Sequence, residues 1–364
     1  MRIAYGVHGY SRGHATRALP VLEALSQRHE LLLFAGGDAH EMLAERFEVQ
    51  PIPCLGFVYE RGRRSNLRTL RANWPKMLEL ALRGPSVQGV VSRLEQFRPD
   101  AIISDAEPWT HRGGAILGVP RIGFDHFGIL VHCKVRLPWL DWCKSLFDRV
   151  TYRWLMRSPA RVLVSSFFDA PPEQREVRVV GPILREQLLA TKPHSGEHVL
   201  AYFNQGSVQL SNGVLDALSE AGPEIRLYGT RHVGQRGKLR FRPPGLDPFL
   251  EDLAACRAVI STAGNQLVGE AMALGKPMLV LPEATVEQRL NAREIVRLGI
   301  GEQLSLSALT AEAVAGFLLR APAYAQLCQA RARDGRLEAI QILERWIGEL
   351  TRRPRAAELS EVAA

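Results

Sequence analysis

A histidine at the start of the first predicted helix is well suited to acid–base chemistry. His14 follows a glycine-containing turn, residues 9–13, which comes directly after the apolar run 2–7. The free N–H groups at a helix start carry partial positive charge, and this charge favours the neutral imidazole, the form that accepts a proton. The alternative role for His14 is a hydrogen bond at the helix end that takes no part in catalysis.

Two aspartates end predicted strands and are candidates to assist this histidine. Asp105 follows the buried-looking run 101–104, and Asp125 follows the run 121–124. A carboxylate in such a position can orient an imidazole and stabilise its charge, as the aspartate of a Ser-His-Asp triad does. Each could instead cap a helix or lie in a solvated loop. The sequence therefore leaves open which of the two assists His14.

Two turns in the second half present small residues and backbone N–H groups to which a diphosphate could bind. One contains Gly206 and Ser207, and the other contains Gly264, Asn265 and Gln266 and opens a predicted helix. Many helices begin with such residues, so neither turn is specific by itself.

Three polar side chains beyond these turns suit a ribose and a sugar. Glu270 lies one helical turn past the second turn, where its carboxylate can accept two ribose hydroxyls. Glu287 and Gln288 combine an acid with an amide, and sugar hydroxyls need both acceptors and donors. The alternative for this pair is an exposed polar helix face.

Other chemical motifs are weak or absent. The first turn matches the Gly-x-Ser-x-Gly elbow, with Ser11 as nucleophile, but such an elbow normally follows several strands rather than the first. The sequence has no Gly-x-Gly-x-x-Gly, Walker A, His-Glu-x-x-His or Asp-x-Asp pattern and no paired-cysteine site. We therefore expect no bound metal.

The elements that must position these residues alternate between strand and helix patterns. Short apolar runs separated by helical periodicity predict an α/β fold with parallel sheets, and ligands bind beyond the carboxyl ends of such strands. The pattern restarts after Gly181-Pro182. We predict two facing Rossmann-like domains with a cleft between them. Their bounds are 1–182 for the first and 183–345 for the second, and 346–364 form a helix end and tail.

Composition is that of an ordinary globular protein. The chain has 364 residues, which suits two domains at roughly 100–200 residues each. Five scattered cysteines are typical of a reducing compartment. No apolar run approaches the roughly 18–20 residues that span a bilayer, and the start lacks the apolar core of a signal peptide. We expect a cytoplasmic protein that at most rests on a membrane.

The net charge of +8 is confined to one segment. Residues 57–157 hold 17 Lys and Arg against 9 Asp and Glu, which accounts for the whole excess. Within it, apolar and basic residues interleave as in cationic amphipathic helices broken at Pro75, a pattern that binds anionic membranes. The alternative is a solvated helix face over an ordinary core. The predicted acceptor or membrane residues are Arg12, Arg61, Arg63, Arg64, Arg68, Arg71, Trp74, Trp139 and Trp142.

Taken together, these residues resemble the GT-B glycosyltransferases, in the inverting branch that includes MurG, the diacylglycerol galactosyltransferases and the UDP-glucuronosyltransferases. The resemblance covers nearly the whole chain. Its most specific parts are the stretch from Phe249 to Asn291, with Ser-Thr-Ala-Gly at 261–264 and Glu-Ala-Met-Ala-Leu-Gly-Lys-Pro at 270–277, and the Gly-x-x-Arg-Gly-His-x-x-Arg stretch at 9–17.

The resemblance implies a role for each residue. Phe249 and Leu250 would bind the nucleobase, and Gly206, Ser207, Gly264 and Asn265, with Gln266 beside them, would hold the diphosphate. Arg185 would reach a phosphate, Glu270 the ribose, and Glu287 and Gln288 the sugar. His14 would deprotonate the acceptor, with Asp105 as its partner.

The implied activity is inverting transfer of a hexosyl or N-acetylhexosaminyl group, most readily from a UDP-sugar, to a lipid or lipid-linked acceptor. No cofactor is implied, because the nucleotide sugar is a substrate. Two departures, Asn-Gln-Gly-Ser at 204–207 and Arg12 in the first loop, leave the exact donor open. A sugar-nucleotide 2-epimerase of the same fold is the first alternative. A nucleic-acid-binding protein is the second, although no recognition-helix or zinc-finger pattern accompanies the charge, and we expect no nucleic-acid partner.

Overall fold

The computed structural model describes residues 1–60, 63–194, 196–204, 206–230, 232–243 and 245–352, with the side chains of Arg63, Arg64, Asn66, Ser207 and Leu246 left out. Of the predicted site residues, Arg61 and the side chains of Arg63, Arg64 and Ser207 therefore lie outside the described residues, as does most of the predicted tail.

Strands and helices alternate along the chain as the sequence predicts. The strands are β1 (Arg2–Val7), β2 (Glu30–Ala35), β3 (Val49–Pro51), β4 (Tyr59–Glu60), β5 (Arg63–Arg64), β6 (Ala101–Asp105), β7 (Arg121–Asp125), β8 (Arg161–Ser165), β9 (Val177–Val180), β10 (Val199–Tyr202), β11 (Ile225–Tyr228), β12 (Gly234–Arg236), β13 (Leu239–Phe241), β14 (Ala258–Ser261), β15 (Met278–Val280) and β16 (Gly301–Gln303). The helices are α1 (Arg12–Ser26), α2 (Gly37–Leu43), α3 (Asn66–Leu82), α4 (Pro85–Phe97), α5 (Pro108–Ile116), α6 (Gly128–His132), α7 (Trp139–Met156), α8 (Glu186–Ala190), α9 (Gly206–Gln209), α10 (Asn212–Glu220), α11 (Leu246–Ala255), α12 (Asn265–Ala273), α13 (Val286–Arg297), α14 (Ala311–Arg331) and α15 (Arg336–Thr351).

The first sheet is parallel and has the order β3-β2-β1-β6-β7-β8-β9. Its central strands are buried on both faces, as expected for a parallel sheet covered by helices. The register pairs Val7 with Asp105, so β1 and β6 end side by side. The helix that follows β1 therefore begins close to the carboxylate that ends β6.

The second sheet has the order β12-β13-β11-β10-β14-β15-β16 and is parallel except where β12 meets β13. Tyr202 and Ser261 pair at the carboxyl ends of β10 and β14. The turns that follow these two strands lead into α9 and α12. The chain thus has the predicted α/β fold, with two mainly parallel sheets of seven strands each.

The chain folds into two compact units. The first contains Met1–Gly56, Arg71–Ile183 and the residues from Gly335 onward, and the second contains Phe57–Leu70 and Leu184–Asp334. This division differs from the predicted bounds of 1–182 and 183–345 at two places, because a short early segment belongs to the second unit and α15 belongs to the first.

Apolar packing explains why α15 joins the first unit. Its buried face packs on α1 and β6. His29 Nε2 also lies 2.9 Å from Glu344 Oε2. The buried residues of α15 are Ala339, Ile342, Leu343, Trp346, Ile347 and Leu350.

Polar contacts explain the other exception. Tyr59, in β4, donates a hydrogen bond to the Glu283 carboxylate of the second unit. Thr69 Oγ1 accepts one from the Val58 backbone N–H at 2.9 Å, which closes the segment on itself. Neither contact is readable from apolar periodicity, which is the signal that set the predicted bounds.

Candidate active site

His14 and Asp105 meet in the first unit. His14 lies in the first turn of α1, and its Nδ1 is 2.7 Å from Asp105 Oδ1. The carboxylate is fully buried, whereas about a fifth of the His14 side chain is exposed, 22%. A carboxylate only accepts hydrogen bonds, so this contact favours the tautomer with the hydrogen on Nδ1 and the lone pair on Nε2. This is the arrangement that a general base requires.

Arg17 is a third member of this cluster and is not among the predicted site residues. It lies one helical turn after His14, and its Nε donates to Asp105 Oδ2 at 2.9 Å, while its Nη2 donates to Oδ1. The same Nη2 is 3.1 Å from His14 Nδ1. Its spacing of three from His14, on one helix face, is the signal that could have identified it.

The electrostatics of the cluster keep Asp105 charged. Burial alone would raise the pKa of the Asp105 carboxyl, but the Arg17 guanidinium and His14 beside it more than offset this, and the pKa lies below its usual value. The ring of His8 packs edge-on against His14, with centroids 5.1 Å apart. Burial, with a smaller contribution from His14, lowers the pKa of His8 to about 3. His8 is therefore neutral at neutral pH.

Asp125, the other candidate partner, is directed elsewhere. Its Oδ2 accepts a hydrogen bond from the Tyr152 hydroxyl, and its Oδ1 accepts one from the Gly128 N–H at 2.7 Å. Burial and the nearby Asp105 charge raise its pKa. The structure therefore brings Asp105, and not Asp125, into contact with His14.

The backbone is strained on both sides of the cluster. Ser11, immediately before α1, has φ of 71°, and Ala106, immediately after Asp105, has φ of 49°. Side chains other than glycine rarely adopt this left-handed region, and such strain collects at functional sites. Both residues adjoin the turns that carry the predicted chemistry.

In the second unit, Arg185 and Glu270 form a buried double hydrogen bond. Nε and Nη2 of Arg185 lie 3.1 Å from the two carboxylate oxygens of Glu270. Gln266 Nε2 also donates to Glu270 Oε1, at 3.1 Å. The predicted phosphate and ribose residues are thus brought together, a pairing that sequence spacing does not reveal.

The predicted nucleobase residues differ in exposure. Phe249 is half-buried and packs edge-on against Tyr202 and Tyr228, with ring centroids 5.7 and 5.0 Å apart. Leu250 is buried. Asp252, three residues after Phe249 on α11, accepts a hydrogen bond of 2.6 Å from the Tyr228 hydroxyl and fixes the ring on which Phe249 packs.

The two predicted phosphate turns have different surroundings. The Gly206 N–H donates to Gly229 O at 3.2 Å, and a Cβ at position 206 would lie 2.5 Å from that oxygen, so only glycine fits there. A Cβ at Gly264 would meet no atom within 4 Å. Gly264 precedes α12, whose first residues, Asn265 and Gln266, are buried. The open space is therefore at the second turn.

The start of α13 carries the predicted sugar-binding pair. Gln288 Oε1 accepts a hydrogen bond of 2.8 Å from the Glu283 N–H. Glu287 Oε1 accepts one of 3.2 Å from Asn291 Nδ2, which also donates to Ala263 O at 2.8 Å. Asn291 ends the family-like stretch from Phe249 and is not among the predicted site residues. It ties α13 to the turn before Gly264.

The basic and aromatic residues of α3 are exposed. Trp74 is 58% exposed, and Leu67, Leu70, Leu78 and Leu82 are exposed with it along one helix face. Arg71 is exposed, and Arg68 forms an exposed ion pair of 2.9 Å with Glu60. The predicted break at Pro75 does not occur, and α3 continues through this residue. The missing proline N–H removes one hydrogen bond without ending the helix.

A second exposed apolar face lies on α7, in the first unit. Trp139 and Trp142 are 71% and 41% exposed and stack on each other with centroids 5.4 Å apart. Leu140, Leu146, Phe147 and Val150 extend this face. Arg12, the remaining predicted acceptor residue, begins α1 and is half-buried.

The described part of the chain contains no helix long and apolar enough to cross a bilayer. Within the same ranges, no three His, Cys, Asp or Glu side chains are grouped so that they could hold a metal ion.

Sequence comparison gives a family match over most of the chain. A family model described as Glycosyl transferase family 1 matches residues 1–322. One similar curated protein is the UDP-N-acetylglucosamine--N-acetylmuramyl-(pentapeptide) pyrophosphoryl-undecaprenol N-acetylglucosamine transferase of Clostridioides difficile (strain 630), 26% identical over 254 residues, which are 61% of this chain. The chain spans 58% of the length of that relative and as little as 33% of others that it matches.

Solved structures share the fold at low identity. MurG of Acinetobacter baumannii is 14% identical with a TM-score of 0.59, over 94% of this chain and 99% of that one. The calicheamicin glycosyltransferase CalG4 is 15% identical with a TM-score of 0.66, over 95% and 98%. The chain belongs to glycosyl transferase family 1 and has the fold of the GT-B glycosyltransferases.

Proposed function

We propose that this protein is an inverting glycosyltransferase that moves a sugar from a nucleotide diphosphate sugar, with a UDP-sugar as first choice, to a hydroxyl of a lipid or lipid-linked acceptor. The observation that carries the proposal is the 2.7 Å contact between His14 Nδ1 and buried Asp105. In a chain of a glycosyltransferase family, this contact supplies a base at the first strand-to-helix turn.

The proposed reaction is one in-line displacement. His14 Nε2 takes the proton of the acceptor hydroxyl, and the oxygen forms a bond to the anomeric carbon. The bond from that carbon to the diphosphate breaks, and its electron pair leaves on the nucleoside diphosphate. Attack opposite the leaving group inverts the anomeric centre. The proton remains on the imidazole, whose positive charge Asp105 stabilises.

The donor is proposed to bind in the second unit without a metal or cofactor. Backbone N–H groups at the start of α12 suit the diphosphate, because a helix N-terminus favours negative charge. The open space at Gly264 supports this placement. Phe249 suits one face of a base, with Leu250 supporting the backbone beside it. Glu287 and Gln288 are proposed for the sugar.

Glu270 is proposed to hold the ribose, with Arg185 beside the phosphates. An ionised carboxylate has about four lone-pair positions. Arg185 and Gln266 donate three hydrogen bonds to Glu270, which leaves one position for a ribose hydroxyl. A second hydroxyl requires Gln266 to release Oε1. The Gln266 amide therefore competes with the ribose of the nucleotide sugar for the Glu270 carboxylate.

The acceptor side is proposed to lie at the inner face of a cytoplasmic membrane. The exposed apolar faces of α3 and α7 lie in the segment that carries the whole basic excess. Exposed tryptophans with Arg and Lys among them favour an anionic lipid surface. A lipid-linked acceptor would meet the enzyme there.

A thermal-shift panel of UDP-, GDP- and dTDP-sugars, followed by transfer assays with lipid and water-soluble acceptors, tests the proposal. We expect one nucleotide to stabilise the protein and its sugar to reach a lipid acceptor with inverted configuration. Retained configuration, or no stabilisation by any nucleotide sugar, would contradict it. A reaction without acceptor that yields a 2-epimeric sugar would identify an epimerase instead.

A further inference from the structure

Arg17 has contacts that a merely structural arginine would not need. Its guanidinium donates to both oxygens of Asp105, through Nε to Oδ2 and through Nη2 to Oδ1. A double hydrogen bond of this kind fixes the plane of a carboxylate as well as its position. Oδ1, the oxygen that Arg17 Nη2 holds, is also the one that faces His14 Nδ1.

Burial makes this contact consequential. Arg17 and Asp105 are both buried, so their charges face each other in low dielectric surroundings. An arginine stays protonated in proteins, so the Arg17 charge is permanent. A buried carboxyl without such a partner takes up a proton, because low dielectric surroundings penalise its charged form.

Apart from His14, the groups around Asp105 do not favour its charged form as Arg17 does. Asp125 repels a negative charge on Asp105, and Tyr5 and Tyr152 are neutral phenols whose pKa values burial raises further. His8 is neutral at neutral pH. The titratable and charged groups that face Asp105 are Tyr5 from β1, His8 after it, His14 and Arg17 from α1, Asp125 from β7 and Tyr152 from α7.

We propose that Arg17 is a positioning residue for the transfer reaction: it keeps Asp105 ionised and oriented, so that Asp105 holds the hydrogen of His14 on Nδ1 and leaves the Nε2 lone pair for the acceptor. Arg17 touches no reacting atom in this role. The inference rests on the proposed function for its effect on rate, but the state of His14 can be read without turnover.

The Nη2 contact with His14 adds a further consequence. Nη2 lies 3.1 Å from Nδ1, so a second positive charge forms next to Arg17 when His14 takes the proton. Asp105 shares its charge between the two. Removal of Arg17 is therefore expected to leave Asp105 protonated. The protonated carboxyl then either donates a hydrogen bond to His14 Nδ1 or no longer bonds to it.

The test compares Arg17→Met, Arg17→Lys and the double variant Arg17→Met with Asp105→Asn. Arg17→Met should lower kcat at pH 7 by about tenfold or more, leave the donor KM within about twofold, and move the acid limb of the kcat profile to higher pH. Arg17→Lys should restore part of the rate. The double variant removes both buried charges. Its free energy of unfolding should exceed that of Arg17→Met, while its kcat should stay as low.

A matched control is Arg112→Met. Arg112 is also a buried arginine of the first unit, but it donates to backbone carbonyls, including Trp154 O at 2.6 Å and Leu80 O at 3.2 Å. This variant should lose stability and keep the wild-type pH profile. An Arg17→Met protein that keeps the wild-type kcat and acid limb would overturn the proposal.

Nitrogen NMR of the His14 imidazole separates this inference from the proposed function. The His14 signals are identified by their loss in His14→Gln. In ligand-free wild type, we expect the hydrogen on Nδ1, and in Arg17→Met a gain of the Nε2–H form. An unchanged tautomer would overturn the role of Arg17 even if transfer is observed. A changed tautomer in a protein that transfers no sugar would uphold the coupling and refute the proposed function alone.

Discussion

The guanidinium of Arg185 and the carboxylate of Glu270 are joined by two hydrogen bonds of 3.1 Å, with both side chains buried. Loss of one partner leaves an unpaired charge in low dielectric surroundings, which costs about 3–5 kcal/mol in buried pairs. We expect Glu270→Gln to lower the free energy of unfolding by about 3 kcal/mol and to weaken nucleotide-sugar binding. Urea unfolding and calorimetric titration measure the two effects.

The second unit offers a matched control for this variant. Arg320 and Glu302 form the same double hydrogen bond, at 2.7 and 2.8 Å, but more than half of the Arg320 side chain is exposed. Exposed pairs contribute about 0–1 kcal/mol. Glu302→Gln should therefore cost little stability and leave donor binding unchanged. Equal losses in the two variants would refute the distinction by burial.

Glu107 should make the free energy of unfolding depend on pH, and a comparison with Glu107→Gln separates its effect from that of other groups. It is buried at the start of α5, where it accepts hydrogen bonds from the N–H groups of Trp109 and Thr110 at 2.5 and 2.9 Å. Burial raises its pKa to about 7, although these bonds oppose the shift. Between the ordinary pKa of a glutamate, about 4.3, and this value, the folded state binds more protons than the unfolded state. Its contribution to stability is therefore full at low pH and is lost as the pH rises to about 7.

The comparison of wild type with Glu107→Gln checks this sign. His8 and His132, with pKa values lowered to about 3 and 4 by burial, act in the opposite direction, and they are common to both proteins. The difference in unfolding free energy, wild type minus variant, should fall by about 3 kcal/mol between pH 4.5 and 7.5. A difference that stays flat or rises over this range would contradict the buried, protonated state of Glu107.

The exposed face of α7 should bind anionic vesicles. Replacement of Trp139 and Trp142 by serine should weaken flotation with vesicles that contain anionic lipid by about tenfold or more, because tryptophan carries much of the apolar surface of such faces. Leu319→Ser is the control, since Leu319 is 84% exposed on α14, in the second unit. Wild-type flotation of the double tryptophan variant, or no flotation of the wild type at low salt, would refute the membrane assignment.

Much of the fold could be predicted from the sequence because parallel strands buried on both faces produce short, continuous apolar runs. β1 has the predicted bounds 2–7, and β6 and β7 each extend one residue beyond the predicted runs 101–104 and 121–124, to Asp105 and Asp125. The hairpin of β4 and β5 was not predicted, because two-residue strands leave no periodic signal. Its attachment to the second unit depends on the hydrogen bond from Tyr59 to Glu283, which joins residues 224 positions apart.

The site was predicted in part for similar reasons. Positions at strand ends selected both Asp105 and Asp125 as possible partners of His14, since parallel strands carry their carboxyl ends to one edge of the sheet. The structure brings Asp105 into contact with His14. Arg17 was missed because an arginine inside a helix usually faces solvent, and its burial is set by the tertiary contact with Asp105. The pairing of Arg185 with Glu270 could not be predicted from spacing, because the two residues lie 85 positions apart and the resemblance assigns each to a different part of the nucleotide sugar.

The most direct test of the account is the turnover of His14→Gln against wild type, with donor affinity measured on the same preparations. His14 is the proposed base and belongs to the first unit, whereas the proposed donor-binding residues belong to the second. We predict that kcat falls by about a hundredfold or more, within the range of general-base catalysis, while nucleotide-sugar affinity by calorimetry and the melting temperature stay at wild-type values. Near wild-type turnover with intact donor binding would contradict the central claim that His14 deprotonates the acceptor.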